Sequence, residues 1–547
     1  MLKRYAIHLN VLLAVFLLGA AAHAAISLSG PSSLTVTQGQ QVSGAIQLAK
    51  QGKGKPETAT FSVSGLPAGA SGKFSPASCK ATCSTTLTVS TQPTITVGTY
   101  QITVRAQTPT TAAFLGISLI VNQSGGGQVG TYYIAPTGND TTGDGTIDLP
   151  WATIGKFHTS AASPGDTLYL RGGTYDLTAM VYITKDGTEG NPITIQNYTG
   201  ETPILDGTNV PGTTLDNGNA IYLDSASWWH IKGLEVKNAP ADGIMVRNTS
   251  TNNIIEMNNV HNNGTVGGSG IRVMGVGAAN NLVLNNDAHH NVDPSAGGAD
   301  GFALGGVSGA GNVVRGNRAW RNSDDGFDFF NSNDGTTGAA WIIENNWSWE
   351  NGLDDNLDPT GGNGNGIKLG GIRTATGGTS GPHIVRNNLV WRNYAHGFDQ
   401  NGGQGGTAQM TVYNNTAWSN NVGNIGANGF QFNYAATPGS IFRNNANLSP
   451  GAVAIHAGAS VNEYNSWNGV VTLTLADFVS SDFSGATGAR QGDGSLPVLT
   501  FLHLVEGSDL IDAGVDVGLS YTGAAPDMGA HEYGALSPTR RSAFRIF

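Results

Sequence analysis

The sequence predicts an all-β protein in which a small β-sandwich precedes a parallel β-helix. Three observations carry that reading. Glycine supplies 79 of 547 residues while charged residues make up 12%, a composition of tight turns and little charged surface. The first hundred or so mature residues alternate apolar and polar with the period of half-buried strands. From about residue 250 onward, short apolar segments recur at a spacing near 30 residues, separated by Asn and Gly, which is the signature of a solenoid.

The chain opens with Lys3 and Arg4, an apolar run from Val11 to Ala22, and Ala22-His23-Ala24. This is the pattern of a signal peptide over residues 1–24, so export is expected, with localisation outside the cytoplasm, extracellular or periplasmic. After its removal no membrane association is expected. The formal charge of −11 becomes −13, unevenly shared. Residues 26–122 carry a net +5 and the remainder −18. An acidic body excludes nucleic acid as partner, because phosphate binding needs a basic footprint.

Residues 25–122 form the sandwich, with strands such as 32–37 and 100–104 divided by turns such as Leu66-Pro67-Ala68-Gly69. Two cysteines exclude a disulfide scaffold or a Cys-rich metal protein. Cys79 and Cys83 enclose three residues, and in an exported protein they read as a local disulfide. The module resembles the immunoglobulin-like domains of secreted bacterial enzymes. Its charge suits either weak binding of anionic polysaccharide or a plain spacer. Residues 123–130, with Gly125-Gly126-Gly127, read as a linker, residues 131–535 as the solenoid, and 536–547 as a tail.

The repeat is anchored at Asn258, Asn285, Gly316, Asn345, Asn387, Asn414 and Asn444, each preceded by a strand such as Ile254-Ile255-Glu256-Met257 or Ile384-Val385-Arg386. No helical period fills the gaps, and the spacing is short for propeller blades. Four residues after the anchors come His289, Trp320, Trp349, Trp391 and Trp418; six after come Asn291, Asn322, Asn351, Asn393 and Asn420. In parallel coils these columns stack about 4.8 Å apart, and the stacked Asn amides satisfy turn backbone groups. Both columns read as structural, with a binding role for the Trp column as the alternative.

A further column, x-Gly-[Phe/Ile]-x, runs from Asp242-Gly-Ile-Met245 through Asn428-Gly-Phe-Gln431. Its third position points inward and its fourth outward. The outward residues are Met245, Arg272, Ala303, Asp328, Lys368, Asp399 and Gln431. Asp300, Asp324, Asp325 and Asp328 gather within about one coil spacing. Unpaired, they would repel and raise one another's pKa, and a hard cation such as Ca²⁺ resolves this. A purely stabilising ion site and a solvated acidic face are the alternatives. The repeat is stretched to 42 residues before Asn387, where Gly361-Gly362-Asn363-Gly364-Asn365-Gly366-Ile367-Lys368-Leu369-Gly370-Gly371 leaves Lys368 beside the acids.

Residues 131–535 resemble the family 9 polysaccharide lyases, secreted pectate lyases built as right-handed parallel β-helices. The resemblance rests on Ala299-Asp300-Gly301-Phe302-Ala303, Ser323-Asp324-Asp325-Gly326-Phe327-Asp328, Gly364 to Gly371, and Gly397-Phe398-Asp399-Gln400-Asn401. Ile367 stands where that family commonly has Phe. The resemblance implies that Lys368 abstracts a proton and that Asp300, Asp324, Asp325 and Asp328 bind calcium, with pectate or a related anionic uronate polymer from plant-type cell walls as partner. A monomer is expected. Arg272, Arg373, Arg392 and Asp399 are candidates for holding neighbouring sugars, since guanidinium matches carboxylate bidentately. A polygalacturonate hydrolase using the same carboxylates, a lyase for another uronate polymer, and a non-catalytic polysaccharide-binding solenoid are the rival functions.

Overall fold

The computed structural model describes residues 25–534 apart from 53–54, 93–94, 123–129, 296, 307, 331–337, 372–380, 402–408, 434–438, 452 and 457–460. The expected signal peptide, most of the linker and the tail lie outside the described residues. The chain divides into two compact units, residues 1–128 and 129–547.

In the first unit a four-stranded sheet faces a five-stranded one. Alternation along the strands sends Ile46, Leu87, Ile102, Ile117 and Leu119 into the shared core, while Ser, Thr and Gln look outward. Ser33–Thr37 pairs parallel with Ala112–Asn122 and the other ladders are antiparallel. Cys79 and Cys83 are joined as the sequence suggests.

The second unit is a parallel β-helix with sheets of twelve, ten and ten strands. Each coil adds one short strand to each sheet. The segments 254–256, 282–284, 313–315, 342–344, 384–386, 411–413 and 441–443 lie side by side in the twelve-stranded sheet. Ile255, Val283, Val314, Ile343, Val385, Val412 and Phe442 stack inward and are fully or almost fully buried. One element has no counterpart in the sequence reading. The helix Ile154–Ser160, capped by the Thr153 hydroxyl, sets Ile154 and Phe157 into this core.

The Asn column exists as an amide ladder. Asn291 Nδ2 donates to Asn322 Oδ1, Asn322 to Asn351, Asn351 to Asn393 and Asn393 to Asn420, each at 2.9 Å. A second ladder runs from Asn258 through Asn286, Asn317, Asn346, Asn388 and Asn415. That second ladder corrects the repeat register. Asn258 is equivalent to Asn286, not to Asn285, so the anchor of its coil is Met257. Met257 has φ 56°, like Asn285, Asn345, Asn387, Asn414 and Asn444 at 52–57°. The left-handed corner favours Asn or Gly, and a Met there hid the true anchor behind the following Asn pair.

The aromatic column also stacks. Ring centroids are 4.1 Å apart for His289 and Trp320, 4.9 Å for Trp320 and Trp349, and 4.8 Å for Trp349 and Trp391. Trp418 leaves the stack and meets Phe483 and Phe501 edge-on. Trp320, Trp349 and Trp391 are buried in a cluster with Phe478, Leu496, Phe501 and Leu504 of the C-terminal segment, and Trp418 is partly buried against it. The column is a packing seam and offers no sugar platform.

Candidate active site

The ten-stranded sheet that contains Phe302–Ala303 and Ile367–Lys368 positions the acids. Its inward residues Ile244, Ile271, Phe302, Phe327, Ile367, Phe398 and Phe430 pair in strict register. Phe302 and Phe327 stack at 4.6 Å. That apolar stack fixes the next residue of each strand on the opposite face, so Met245, Arg272, Ala303, Asp328, Lys368, Asp399 and Gln431 form one outward column.

Asp300, Asp325 and Asp328 bring one carboxylate oxygen each to within 4.8 Å of one another. Backbone amides orient them. Asp300 Oδ1 accepts from Asp325 N at 3.2 Å, Asp325 Oδ1 from Asn365 N at 2.7 Å and Asp328 Oδ1 from Phe330 N at 2.8 Å. Asp325 Oδ2 is buried and accepts no hydrogen bond. Asp324 stands beside this trio and outside it, with its Oδ1 taken by Asn363 N at 2.6 Å. The sequence grouped four carboxylates around one point; three bring an oxygen each within 4.8 Å of one another, and Asp324 is not among them. Burial raises the pKa of Asp300 and Asp328, and the other acids reinforce it. Burial, then Asp325, pushes Asp324 to about 8.

Lys368 does face away from the helix core, but it is not exposed. It is 6% accessible, with Nζ 3.0 Å from Asp325 Oδ2, 3.2 Å from Asp328 Oδ2 and 3.4 Å from Asn363 Oδ1. The Phe330 ring covers it, 5.9 Å from Nζ to centroid. Burial would lower its pKa, yet Asp325, Asp328, Asp324 and Asp300 together hold it well above the ordinary lysine value. The acids alone therefore keep Lys368 an ammonium, the reverse of what a base needs.

The four sugar-holding candidates divide. Arg272 is buried in an ion pair with Asp242, Nε to Oδ1 2.9 Å, and Nη2 donates to Ser269 Oγ at 3.0 Å. Arg392 belongs to a different corner, bound to Glu350 and lying over Phe483, so it does not join the acids. Arg373 lies outside the described residues. Asp399 follows Lys368 in the column; burial above all pushes it to about 7, despite the hydrogen bond from Asn401 N.

Asn363 and Phe330 reach the site without having been singled out in the sequence, and Asp242 and Asn365 figure there only as first residues of their column motifs. The Gly-Asn alternation of 361–366 was the available signal for the two Asn residues. The added residues of the 42-residue interval leave the coil at Gly352 and rejoin it at Gly364, with φ 75° and 70°. A Cβ on Gly352 would lie 2.5 Å from Gly364 Cα, so only glycine lets the two feet of the loop meet.

With this geometry in hand, comparison with known proteins is decisive. A sequence model described as the Pel9A-like, right handed beta helix region matches residues 132–445. The chain belongs to the Pel9A-like β-helix family. Pectate lyase L of Dickeya chrysanthemi is 34% identical to this Pel9A-like chain over 411 residues, covering 73% of this chain and 90% of that protein. Pectate lyase PEL9 of Emericella nidulans is 34% identical over 400 residues, 69% of this chain and 93% of that protein. The crystal structure of pectate lyase Pel9A superposes with a TM-score of 0.63 at 32% identity, covering 74% of this chain and 96% of that one. A rhamnogalacturonan lyase superposes with a TM-score of 0.58 at 26% identity, covering 69% and 96%. The Pel9A-like chain is thus a pectate lyase-like polysaccharide lyase. Among the described residues no helix is long and apolar enough to cross a membrane.

Proposed function

We propose that this chain is an exported, calcium-dependent lyase that cleaves polygalacturonate by β-elimination, with Lys368 taking the proton from C5. The observation that carries the proposal is the pairing of Lys368 with Asp325 and Asp328 at 3.0 and 3.2 Å inside a converging trio of carboxylates. The donor set fits Ca²⁺. It offers hard oxygens only, three of them close together, one buried and without a hydrogen bond. Asp300, Asp325 and Asp328 would hold the ion, with Asp324 alongside. Bound there, calcium would supply positive charge that neutralises a uronate carboxylate and makes the adjacent C–H more acidic.

The chain's own residues do the rest. Asp325 and Asp328 hold the ammonium of Lys368 in place, and when their charge is engaged elsewhere Nζ gives one proton to solvent before the substrate covers it. The lone pair on Nζ then takes the C5 proton. The C–H electron pair forms the C4–C5 double bond, and the C4–O4 bond breaks with its pair leaving on O4, which picks up a proton. Phe330 and the Asn363 loop shield Nζ from water. A hydrolase would instead need an acid and a base or nucleophile flanking the bond, whereas these acids cluster around a lysine.

A second reading, action on rhamnogalacturonan, draws support from the superposed rhamnogalacturonan lyase. The test is ultraviolet absorbance of unsaturated product over a panel of uronate polymers, with and without chelator. Absorbance that rises on polygalacturonate and vanishes in chelator is expected. Saturated products, or full rate in strong chelator, would overturn the proposal.

A further inference from the structure

The outward column does not end at Met245. Tyr222 pairs with Met245, and Tyr182 pairs with Tyr222, in the same sheet and on the same face. Tyr182 therefore stands six strands from Lys368, roughly 29 Å at about 4.8 Å per strand. Its flanking residues Val181 and Ile183 are buried inward, while Tyr182 itself is 45% exposed. Tyr222 lies under it, ring centroids 5.5 Å apart at 67°. The Tyr182 hydroxyl donates to Asp224 Oδ2, which fixes the ring rather than leaving it to rotate freely. A large aromatic face held in place by a second ring and a hydrogen bond, and still open to solvent, has the form of a stacking surface for a pyranose.

The charges around it say which pyranose. Asp224 is a neighbour on the same strand as Tyr222, and the Tyr182 hydroxyl above all holds its carboxyl below the usual range. Arg247, the register partner of Asp224, is already bound by Asp216. With Arg247 and Asp216 neutralising each other, Asp224 leaves a net negative charge that disfavours a bare uronate carboxylate; its oxygens already accept from Tyr182 and Asn248 and keep lone pairs for a sugar hydroxyl.

We propose that Tyr182, backed by Tyr222 and Asp224, is a distal subsite that stacks an uncharged pyranose of the polysaccharide whose reacting uronate sits at Lys368. This rests on the lyase reading for the position of the reacting end. Two sources share the chemistry: a neutral sugar alternating with uronate, or a methyl-esterified uronate.

The test uses the full chain and the variants Tyr182→Ala and Tyr182→Phe. Tyr182→Ala should raise KM about three- to tenfold on a polymer that carries uncharged sugars, with kcat little changed. KM for trigalacturonate, too short to span the column, should stay as in the parent, and Tyr182→Phe should keep most of the polymer affinity. A KM effect confined to a rhamnogalacturonan backbone identifies the neutral sugar, and one confined to methyl-esterified polygalacturonate identifies the ester. An effect as large on fully de-esterified polygalacturonate overturns the uncharged-ring assignment. Unchanged KM on every polymer, or an equal rise on trigalacturonate, overturns the subsite. If the parent protein yields no unsaturated product at all, the lyase reading fails separately. Affinity electrophoresis against the same polymers then still decides the subsite, and equal retardation of parent and Tyr182→Ala refutes it.

Discussion

Lys368 Nζ and Asp325 Oδ2 lie 3.0 Å apart, yet that oxygen, fully buried, accepts no hydrogen bond. The partner oxygen of the same carboxylate is held by Asn365 N. Asp325 thus presents one oxygen fixed by the backbone and one that meets only charge, an arrangement suited to exchanging one cation for another.

Lys368→Ala should lower the rate of β-elimination by roughly 10²–10⁴-fold, the range of a lost general base. Because the lysine is buried against the acids, its removal should also destabilise the protein in chelator, by about 3–5 kcal/mol for a broken buried pair. Initial rates and thermal melts with and without calcium check both. Retention of more than about a tenth of the parent rate would exclude the base role.

Asp328→Asn keeps the shape of the side chain and removes a charge from the trio. Calcium affinity and activity should fall together, and excess calcium should restore part of the rate by mass action. Titration calorimetry alongside rate measurements tests this; a slower enzyme with unaltered calcium affinity contradicts it.

In chelator, stability should fall as pH rises from about 7 to 9. Asp324 and Asp399, pushed up to about 8 and about 7 chiefly by burial, keep protons in the folded state that the unfolded chain has released by then. More protons bound when folded means stability lost with rising pH across that window. Below about 6.5 an opposing contribution enters, because burial keeps His289, His383 and His531, each lowered to about 3, neutral in the fold where the unfolded chain has protonated them. Urea midpoints in chelator at pH 7 and 9 measure the slope, Asp324→Asn should flatten it, and calcium should oppose it. A midpoint that climbs between those pH values is the contrary outcome.

Trp391→Ala should cost about 3–5 kcal/mol while leaving kcat of the folded fraction intact. The ring is fully buried between Trp349 and Phe501, on a different sheet from Lys368. Denaturant unfolding paired with active-site-normalised rates separates the two effects.

The sequence was most legible where the coil repeats. Strands such as Ile342–Glu344 and Ile384–Arg386, and the column from Met245 to Gln431, emerge from spacing alone, because stacking demands the same residue class at the same coil position. The reading slipped at Met257, where one side chain broke that rule. The site was half legible. Alternation sent Lys368 and Asp328 to the outer face, but whether that face is open depends on Phe330 and Asn363, which belong to turns with no repeat. Arg272 looked available for substrate because its partner Asp242 lies 30 residues away and one coil back. Paired burial of that kind has no signature in linear spacing.

The contact between Gly352 and Gly364 makes the intervening segment a closed excursion whose length is uncoupled from the helical pitch. The Asn351–Asn393 amide bond at one foot and the register of Ile367 with Phe327 beyond the other hold the coil independently of the excursion. Segments of other lengths spliced between those two glycines should leave the outward column in register. What such a graft changes is the residue delivered at position 363, beside both Asp324 and Lys368. The helix supplies a fixed cluster of acids and lysine, and this pair of glycines is the socket through which its cover can be exchanged.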